Sequence, residues 1–283
     1  MTSSNNRHLA AQLRSMHRGD MLVLPNAWDA LSARIFQEAG CRAVATTSAG
    51  VSWSLGYPDG ERVPWQEFAG ATRRMARVVS VPLTVDFEGG FSRTDTELAE
   101  RVREIIGAGA SGINLEDSSE RQKHSLMPTD VAAKRIAVAR DSAEREGVPI
   151  VINGRTDAYL QAAFGGHPVS FPDVLQRCRA YLGAGADCVY PIGLADVSVI
   201  AQLVKELAAP VNIMGRPGSP TLQELRALGV ARVSAATSFT LQVAGVLLDS
   251  IVKVKETGSF EHCASPFSYP RMQALFDPAP GGG

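Results

Sequence analysis

The segment Val85-Asp86-Phe87-Glu88-Gly89-Gly90 closes the apolar run Val81-Pro82-Leu83-Thr84. An apolar run ending in alternate acids reads as a buried parallel strand with charge at its tip. Side chains alternate along a strand, so Asp86 and Glu88 point to one side and Phe87 to the other. Two carboxylates converging there repel each other unless a cation or a proton lies between them. The device recurs at Gly112-Ile113-Asn114-Leu115-Glu116-Asp117, a second apolar strand ending in acids. Hard oxygen donors, with no His or Cys among them, suit Mg2+ or Mn2+ far better than Zn2+. Farther along, Arg155 lies on a strand flanked by apolar residues and offers a planar fork to a carboxylate or phosphate.

The elements that must position these groups alternate regularly. Short apolar runs at residues 21–25, 42–47, 81–86, 112–116, 149–153, 187–191, 210–214 and 232–235 read as strands. Amphipathic windows at residues 28–38, 65–78, 94–108, 129–146, 172–184, 197–207, 221–228 and 239–255 read as the helices that follow them. Eight β–α units without hairpin signals predict a closed (β/α)8 TIM-type barrel. A doubly wound sheet is the alternative, weakened by the absence of GxGxxG after the first strand. The barrel with its N-terminal helix is expected to occupy residues 1–257. Residues 258–283, rich in proline and ending in three glycines, form a C-terminal extension that is interfacial or partly loose.

In a parallel barrel the chemistry sits at the C-terminal ends of the strands. Those positions hold Thr47 to Gly50 and Asp59, Asp86 and Glu88, Glu116 and Asp117, Asn153, Arg155 and Asp157, Tyr190, Asn212, and Ser234 and Thr237. Any single acid here reads equally well as the cap of the next helix. All of them together do not.

Length and composition fit this architecture. The 283 residues are 45% hydrophobic and 20% charged, enough for a sizeable core. A net charge of −1 gives no electrostatic reason to expect nucleic acid or an anionic membrane as partner. Residues 1–18 are polar and lack the apolar centre of a signal peptide, so the cytoplasm is the expected location. The four cysteines have no metal-knuckle spacing and read as small buried hydrophobes in a reducing compartment.

Five ordered motifs carry a resemblance. Asn26-Ala27-Trp28-Asp29, Thr47-Ser48-Ala49-Gly50, Val85 to Gly90, Asn114-Leu115-Glu116-Asp117 and Asn153-Gly154-Arg155-Thr156-Asp157 together resemble the isocitrate lyase/phosphoenolpyruvate mutase superfamily. The resemblance implies a modified (β/α)8 barrel, a homo-oligomer (tetramer or dimer) with helix 8 swapped between subunits, bound Mg2+, and a small-molecule carboxylate substrate. It implies Asp86, Glu88 and Glu116 as metal acids, with Glu88 where the family more often has Asp. It implies Asp59 as the acid of the strand-two loop, and Ser48, Ala49 and Gly50 as the segment holding the substrate's carboxylate and oxo group. Arg155 is implied as the cationic clamp; Asn212 is the further substrate-binding candidate.

One departure bears on mechanism. The family's lyases carry a cysteine in the loop after strand four, whereas here it reads Ser118 to Met127 without one. His124 and Tyr190 are then the candidate proton-handling groups. The expected activity is a Mg2+-dependent carbon–carbon lyase acting on a 2-oxo or 2-hydroxy di- or tricarboxylate through an enolate, in the manner of oxaloacetate decarboxylase or methylisocitrate lyase. The alternatives are P–C chemistry of the phosphonopyruvate hydrolase or phosphoenolpyruvate mutase type, and a non-catalytic 2-oxo-acid-binding protein.

Overall fold

Pro25 has no N–H to give to a strand ladder, and the first barrel strand changes partner around it. In the computed structural model, which describes residues 3–118, 125–163 and 168–277, this strand appears as β1 (Leu22–Leu24) and β2 (Asn26–Ala27). The remaining strands are β3 (Val44–Thr46), β4 (Leu83–Asp86), β5 (Gly112–Glu116), β6 (Val151–Thr156), β7 (Cys188–Pro191), β8 (Asn212–Met214) and β9 (Arg232–Ser234). All pairings between them are parallel.

The ladder runs from β2 through β3, β4, β5 and β6 to β7, and separately from β1 through β9 to β8. Contacts at both seams join the pieces. A parallel bridge links Val189 to Val211. At the other seam the Asn26 side chain donates to Thr46 O (2.6 Å) and accepts from the Ala235 N–H (2.7 Å). With β1 and β2 counted as one strand, the result is the expected closed eight-stranded barrel.

The outer helices are α2 (Ala30–Glu38), α4 (Trp65–Val78), α5 (Asp95–Gly107), α6 (Thr129–Arg145), α8 (Phe171–Gly183), α9 (Val197–Leu207) and α10 (Leu222–Ala227), interleaved with α3 (Ser48–Ser54) and α7 (Ala158–Ala163). Their starts are capped by local chemistry: Asp29, Thr94 and Thr221 each form a capping box with the residue three positions on. The first helix, α1 (Ser3–Met16), closes the N-terminal end of the barrel. Its fully buried Leu13 lies so near Gly112, the first residue of β5, that a Cβ there would stand 2.9 Å from Leu13 Cδ2.

Three local readings change. Strand β6 runs on to Thr156, past the end read at Asn153, and so carries Arg155 within it. The stretch after β3, read as a loop, holds α3; Gly50 and three serines hide it from a propensity reading. Cys178 and Cys188 are buried as expected, but Cys263 is exposed; all four cysteines are free.

The chain divides into two compact units, Met1–Thr237 and Ser238–Gly283. The second holds α11 (Ser238–Thr257), a 3-10 turn (Phe260–Cys263) and α12 (Tyr269–Phe276), so the last long helix groups with the tail. Its Leu241, Val246, Leu247, Leu248 and Ile251 are exposed, as are Phe260 and Tyr269, while Leu275 is buried. No helix among the described residues is long and apolar enough to cross a membrane.

Candidate active site

Strand β4 ends at Asp86, short of the alternation its sequence suggests, and the two residues after it part from each other. Phe87 turns outward and is fully buried against Trp65 (ring centroids 5.8 Å apart) and Phe91 (6.3 Å). Asp86 and Glu88 take the other face, at the C-terminal end of the barrel. The Asp86 backbone N–H donates to Thr46 Oγ1 (2.9 Å). Its Oδ2 accepts from Ser48 N–H (3.1 Å) and Ser48 Oγ–H (2.9 Å), and its Oδ1 from Asn114 Nδ2 (3.4 Å). Arg155 Nη1 lies 3.5 Å from the same Oδ1.

Register explains the meeting. Asp86 pairs with Asn114 across β4 and β5, Glu116 pairs with Arg155 across β5 and β6, and Arg155 pairs with Tyr190 across β6 and β7. Arg155 therefore reaches three carboxylates: Glu116 Oε2 through Nη1 (2.8 Å), and Asp157 through Nε (2.6 Å to Oδ1) and Nη2 (3.0 Å to Oδ2), with Asp86 at the longer distance. Burial disfavours the guanidinium charge, but Asp157, Glu116 and Asp86 outweigh it and hold Arg155 firmly protonated. Ser118 Oγ stands 2.7 Å from Glu116 Oε1 and 2.8 Å from Asp157 Oδ2; with one proton it serves one of them at a time.

One cation cannot neutralise this many acids. Burial pushes Glu116 up, and the Asp157 and Asp86 charges add to it despite Arg155. Glu88 is pushed up to about 10, first by burial and then by Glu116, Asp59, Asp86 and Glu61. Its Oε2 accepts from the Glu61 N–H (2.7 Å), whereas its Oε1 is buried with no hydrogen-bond partner among the described residues. Its backbone is also in the left-handed region (φ 49°), as are Glu61 (φ 54°) and Phe91 (φ 50°). Such conformations cost a non-glycine residue about 1–2 kcal/mol each and persist where the surroundings impose them.

A hard divalent cation fits this donor set. The chemistry is all carboxylate and hydroxyl oxygen, the charge is in excess of one arginine, and Glu88 Oε1 is an orphaned buried acceptor. Among the described residues, no three His, Cys, Asp or Glu side chains stand together in ligand geometry. The acids are instead turned toward Arg155 and the loop N–H groups.

The other candidates fall as follows. Asp59 is exposed at the mouth, with its carboxyl turned toward Ser48; burial of that end and the Asp86 charge raise its pKa. Ser48, Ala49 and Gly50 form the buried first turn of α3, whose N–H groups lack intrahelical acceptors. The Ser48 N–H is taken by Asp86, leaving those of Ala49 and Gly50. Tyr190 is buried, hydrogen-bonds Ser234 and is pushed up to about 12, chiefly by burial. Asn212 opens β8 rather than ending it, is fully buried, and donates to Ser234 Oγ (3.0 Å), so it is not brought to the acid cluster. His124 lies outside the described residues.

Sequence reasoning missed Glu61, and it did not foresee the roles of Ser118 and Asp157 as partners of the acids and of Arg155. Asp117, also named among the strand-end acids, is a structural anchor. It is buried and accepts from Tyr181 Oη–H (2.6 Å), Arg177 Nη1 (3.1 Å) and the Asp157 N–H (2.9 Å). The signal for Glu61 was its place in Asp59-Gly60-Glu61, an acid two residues beyond one already chosen.

A closed parallel barrel with oxygen acids and an arginine gathered at the C-terminal strand ends is the class of protein that the geometry defines. The family is set by comparison. The model of the phosphoenolpyruvate phosphomutase family matches residues 13–255, and the chain belongs to that family, within the phosphoenolpyruvate mutase/isocitrate lyase superfamily of lyases and mutases. An uncharacterized protein of Mycobacterium tuberculosis is 36% identical over 225 residues, covering 78% of this chain and 80% of its own. The 2-methylisocitrate lyase of Salmonella typhimurium is 30% identical over 225 residues, 74% of this chain and 72% of its own. Among solved structures, a Burkholderia cenocepacia chain provisionally described as a phosphonomutase superposes with a TM-score of 0.81 at 40% identity, covering 87% of this chain and 99% of that one.

Proposed function

We propose that this chain is a Mg2+-dependent lyase that breaks a carbon–carbon bond of a small 2-oxo or 2-hydroxy di- or tricarboxylate. The observation that carries the reading is the buried, unsatisfied Glu88 Oε1 inside a group of acids that Arg155 alone cannot balance. Asp86, Glu88 and Glu116 would hold the cation, Mg2+ or Mn2+. When bound, it supplies Lewis-acid polarisation of the substrate's 2-oxo group.

The chain's own groups divide the remaining work. Arg155 carries a planar fork and a permanent charge, and it grips a substrate carboxylate by exchanging one of its present partners. The N–H groups of Ala49 and Gly50 receive negative charge that develops on the oxo oxygen, as preorganised donors do. Tyr190 stays neutral at ordinary pH and donates from its phenol. Asp59, raised and at the mouth, moves a proton between substrate and solvent; His124 is the further proton-handling candidate. Loss of CO2 from a 3-carboxylate needs only the electron sink, whereas aldol-type cleavage also needs one of these bases.

The support for a lyase is the 30% identity to 2-methylisocitrate lyase. The phosphonomutase description of the 40% identical structure keeps P–C chemistry as the second reading. We also propose a cytoplasmic homo-oligomer, tetramer or dimer, in which α11 is exchanged between subunits. The exposed apolar residues of that helix support it.

The test is purified protein with Mg2+ or Mn2+, offered oxaloacetate, 2-methylisocitrate, dimethylmalate and phosphonopyruvate, with release of 2-oxo acid or CO2 followed. Turnover of one of the first three, abolished in Asp86→Ala, is expected. Turnover of phosphonopyruvate alone would transfer the reading to P–C chemistry. Activity that survives Asp86→Ala would refute the site. No turnover with tight oxo-acid binding would make this a binding protein.

A further inference from the structure

Glu61 joins two loops at the mouth of the barrel. Its N–H donates to Glu88 Oε2 (2.7 Å), and its own Oε1 accepts from the Phe91 N–H (2.7 Å). The carboxylate lies directly over Gly89: a Cβ on that glycine would sit 3.1 Å from Glu61 Oε1. The far side of the same turn is held by Arg135, whose Nη2 donates to Gly89 O and to Ser92 Oγ (2.9 Å). Glu61, Glu88 and Phe91, the three residues linked by these bonds, are the three non-glycine residues of the two loops with positive φ.

Backbone strain shared by hydrogen-bonded partners means that each loop keeps the other in place. The loop carrying Asp59 is thereby tied to the strand tip carrying Glu88, with Glu61 as donor at one end of the contact and acceptor at the other. We propose that Glu61 is a positioning residue: its carboxylate fixes the Glu88-Gly89-Gly90-Phe91 turn, and through it the placement of Glu88 relative to Asp59. This rests on the reading of the acids as the active site.

Substitutions at Glu61 separate the hydrogen bond from the strain. In Glu61→Gly the backbone donor to Glu88 survives and φ 54° is unstrained, but Phe91 loses its acceptor. In Glu61→Gln an amide oxygen still accepts from the Phe91 N–H, and the charge is gone. For Glu61→Gly we expect an unchanged or raised melting temperature, faster amide exchange at residues 88–91, and about tenfold weaker Mn2+ binding by electron paramagnetic resonance. The kcat on whichever acid is turned over falls by about the same factor, with a smaller change in KM. Glu61→Gln should stay within roughly threefold of the parent in all of these, since the hydrogen bond is kept.

A merely structural role would make activity and melting temperature fall together, and would overturn the proposal. So would Glu61→Gly with parental Mn2+ affinity and exchange, or Glu61→Gln failing as badly as Glu61→Gly. Should the parent turn over no acid, the proposed function fails, but Mn2+ binding and amide exchange still decide the positioning role.

Discussion

Replacing Arg155 with Met is the sharpest test of the charge arrangement. The guanidinium is mostly buried, its side chain 11% exposed, and it contacts Glu116 at 2.8 Å and Asp157 at 2.6 Å. Coulomb attraction over 2.8 Å at an effective dielectric of about 20 amounts to about 6 kcal/mol. Desolvation of both partners offsets part of this. Removing one member of such a buried pair, and so stranding the other, costs about 3–5 kcal/mol. The loss is a large share of the roughly 5–15 kcal/mol that stabilises a typical protein. Met keeps most of the volume, so the deficit reports charge rather than a cavity. Urea unfolding of parent and variant measures it, and a cycle with Asp157→Asn isolates the coupling between the two residues. Substrate binding should weaken in the same variant by about a hundredfold or more, since the lost contact is a charge-assisted fork. A folded Arg155→Met protein less than about 1 kcal/mol less stable, with unchanged affinity for 2-oxo acids, would refute both the charge argument and the clamp.

Two further outcomes follow from buried groups. Glu88→Gln removes a crowded acid with an unpartnered oxygen, so metal-free protein should melt several degrees higher, at about 2–4 °C per kcal/mol, while Mn2+ binding is lost; a lower melting temperature would contradict the repulsion described above. His17 donates from Nδ1–H to Leu13 O (2.8 Å), and its Nε2 is buried with no hydrogen-bond partner among the described residues. Burial, then the Arg232 charge, lowers its pKa from 6.5 to about 4. The unfolded chain therefore binds this proton first as pH falls. The neutral His17 contributes stability that is intact above the unfolded value and lost progressively toward pH 4. The full loss is about 3 kcal/mol, and about 2 kcal/mol of it falls between about pH 7.5 and about pH 5. His17→Gln should flatten the pH dependence of urea unfolding by that amount; parallel curves for the two proteins would rule the linkage out.

Much of the barrel was legible because its signals are local. The apolar run ending at Asp86, the windows of α4 and α9, and the caps at Thr94 and Thr221 each depend on a few neighbouring residues. The α3 helix was not legible, because glycine and serines make it a poor isolated helix that only its buried setting stabilises. The surroundings of Asn212 were not legible either: it lies two residues below the end of β8, and its bond to Ser234 comes from the neighbouring strand β9.

The presence of two acids at the end of an apolar run, Asp86 and Glu88 with an apolar Phe87 between them, was determined by the sequence alone; the strand itself ends at Asp86, and a left-handed backbone at Glu88 sets where the second acid goes. The tertiary structure decided what those acids meet. Closure of the ladder set Glu116 beside Arg155 and Asp86 beside Asn114, and folded residue 61 onto residue 88. Pairing register and loop-on-loop contact join positions tens of residues apart. No local pattern encodes such distances, so the excess of buried negative charge becomes visible only once the barrel is closed.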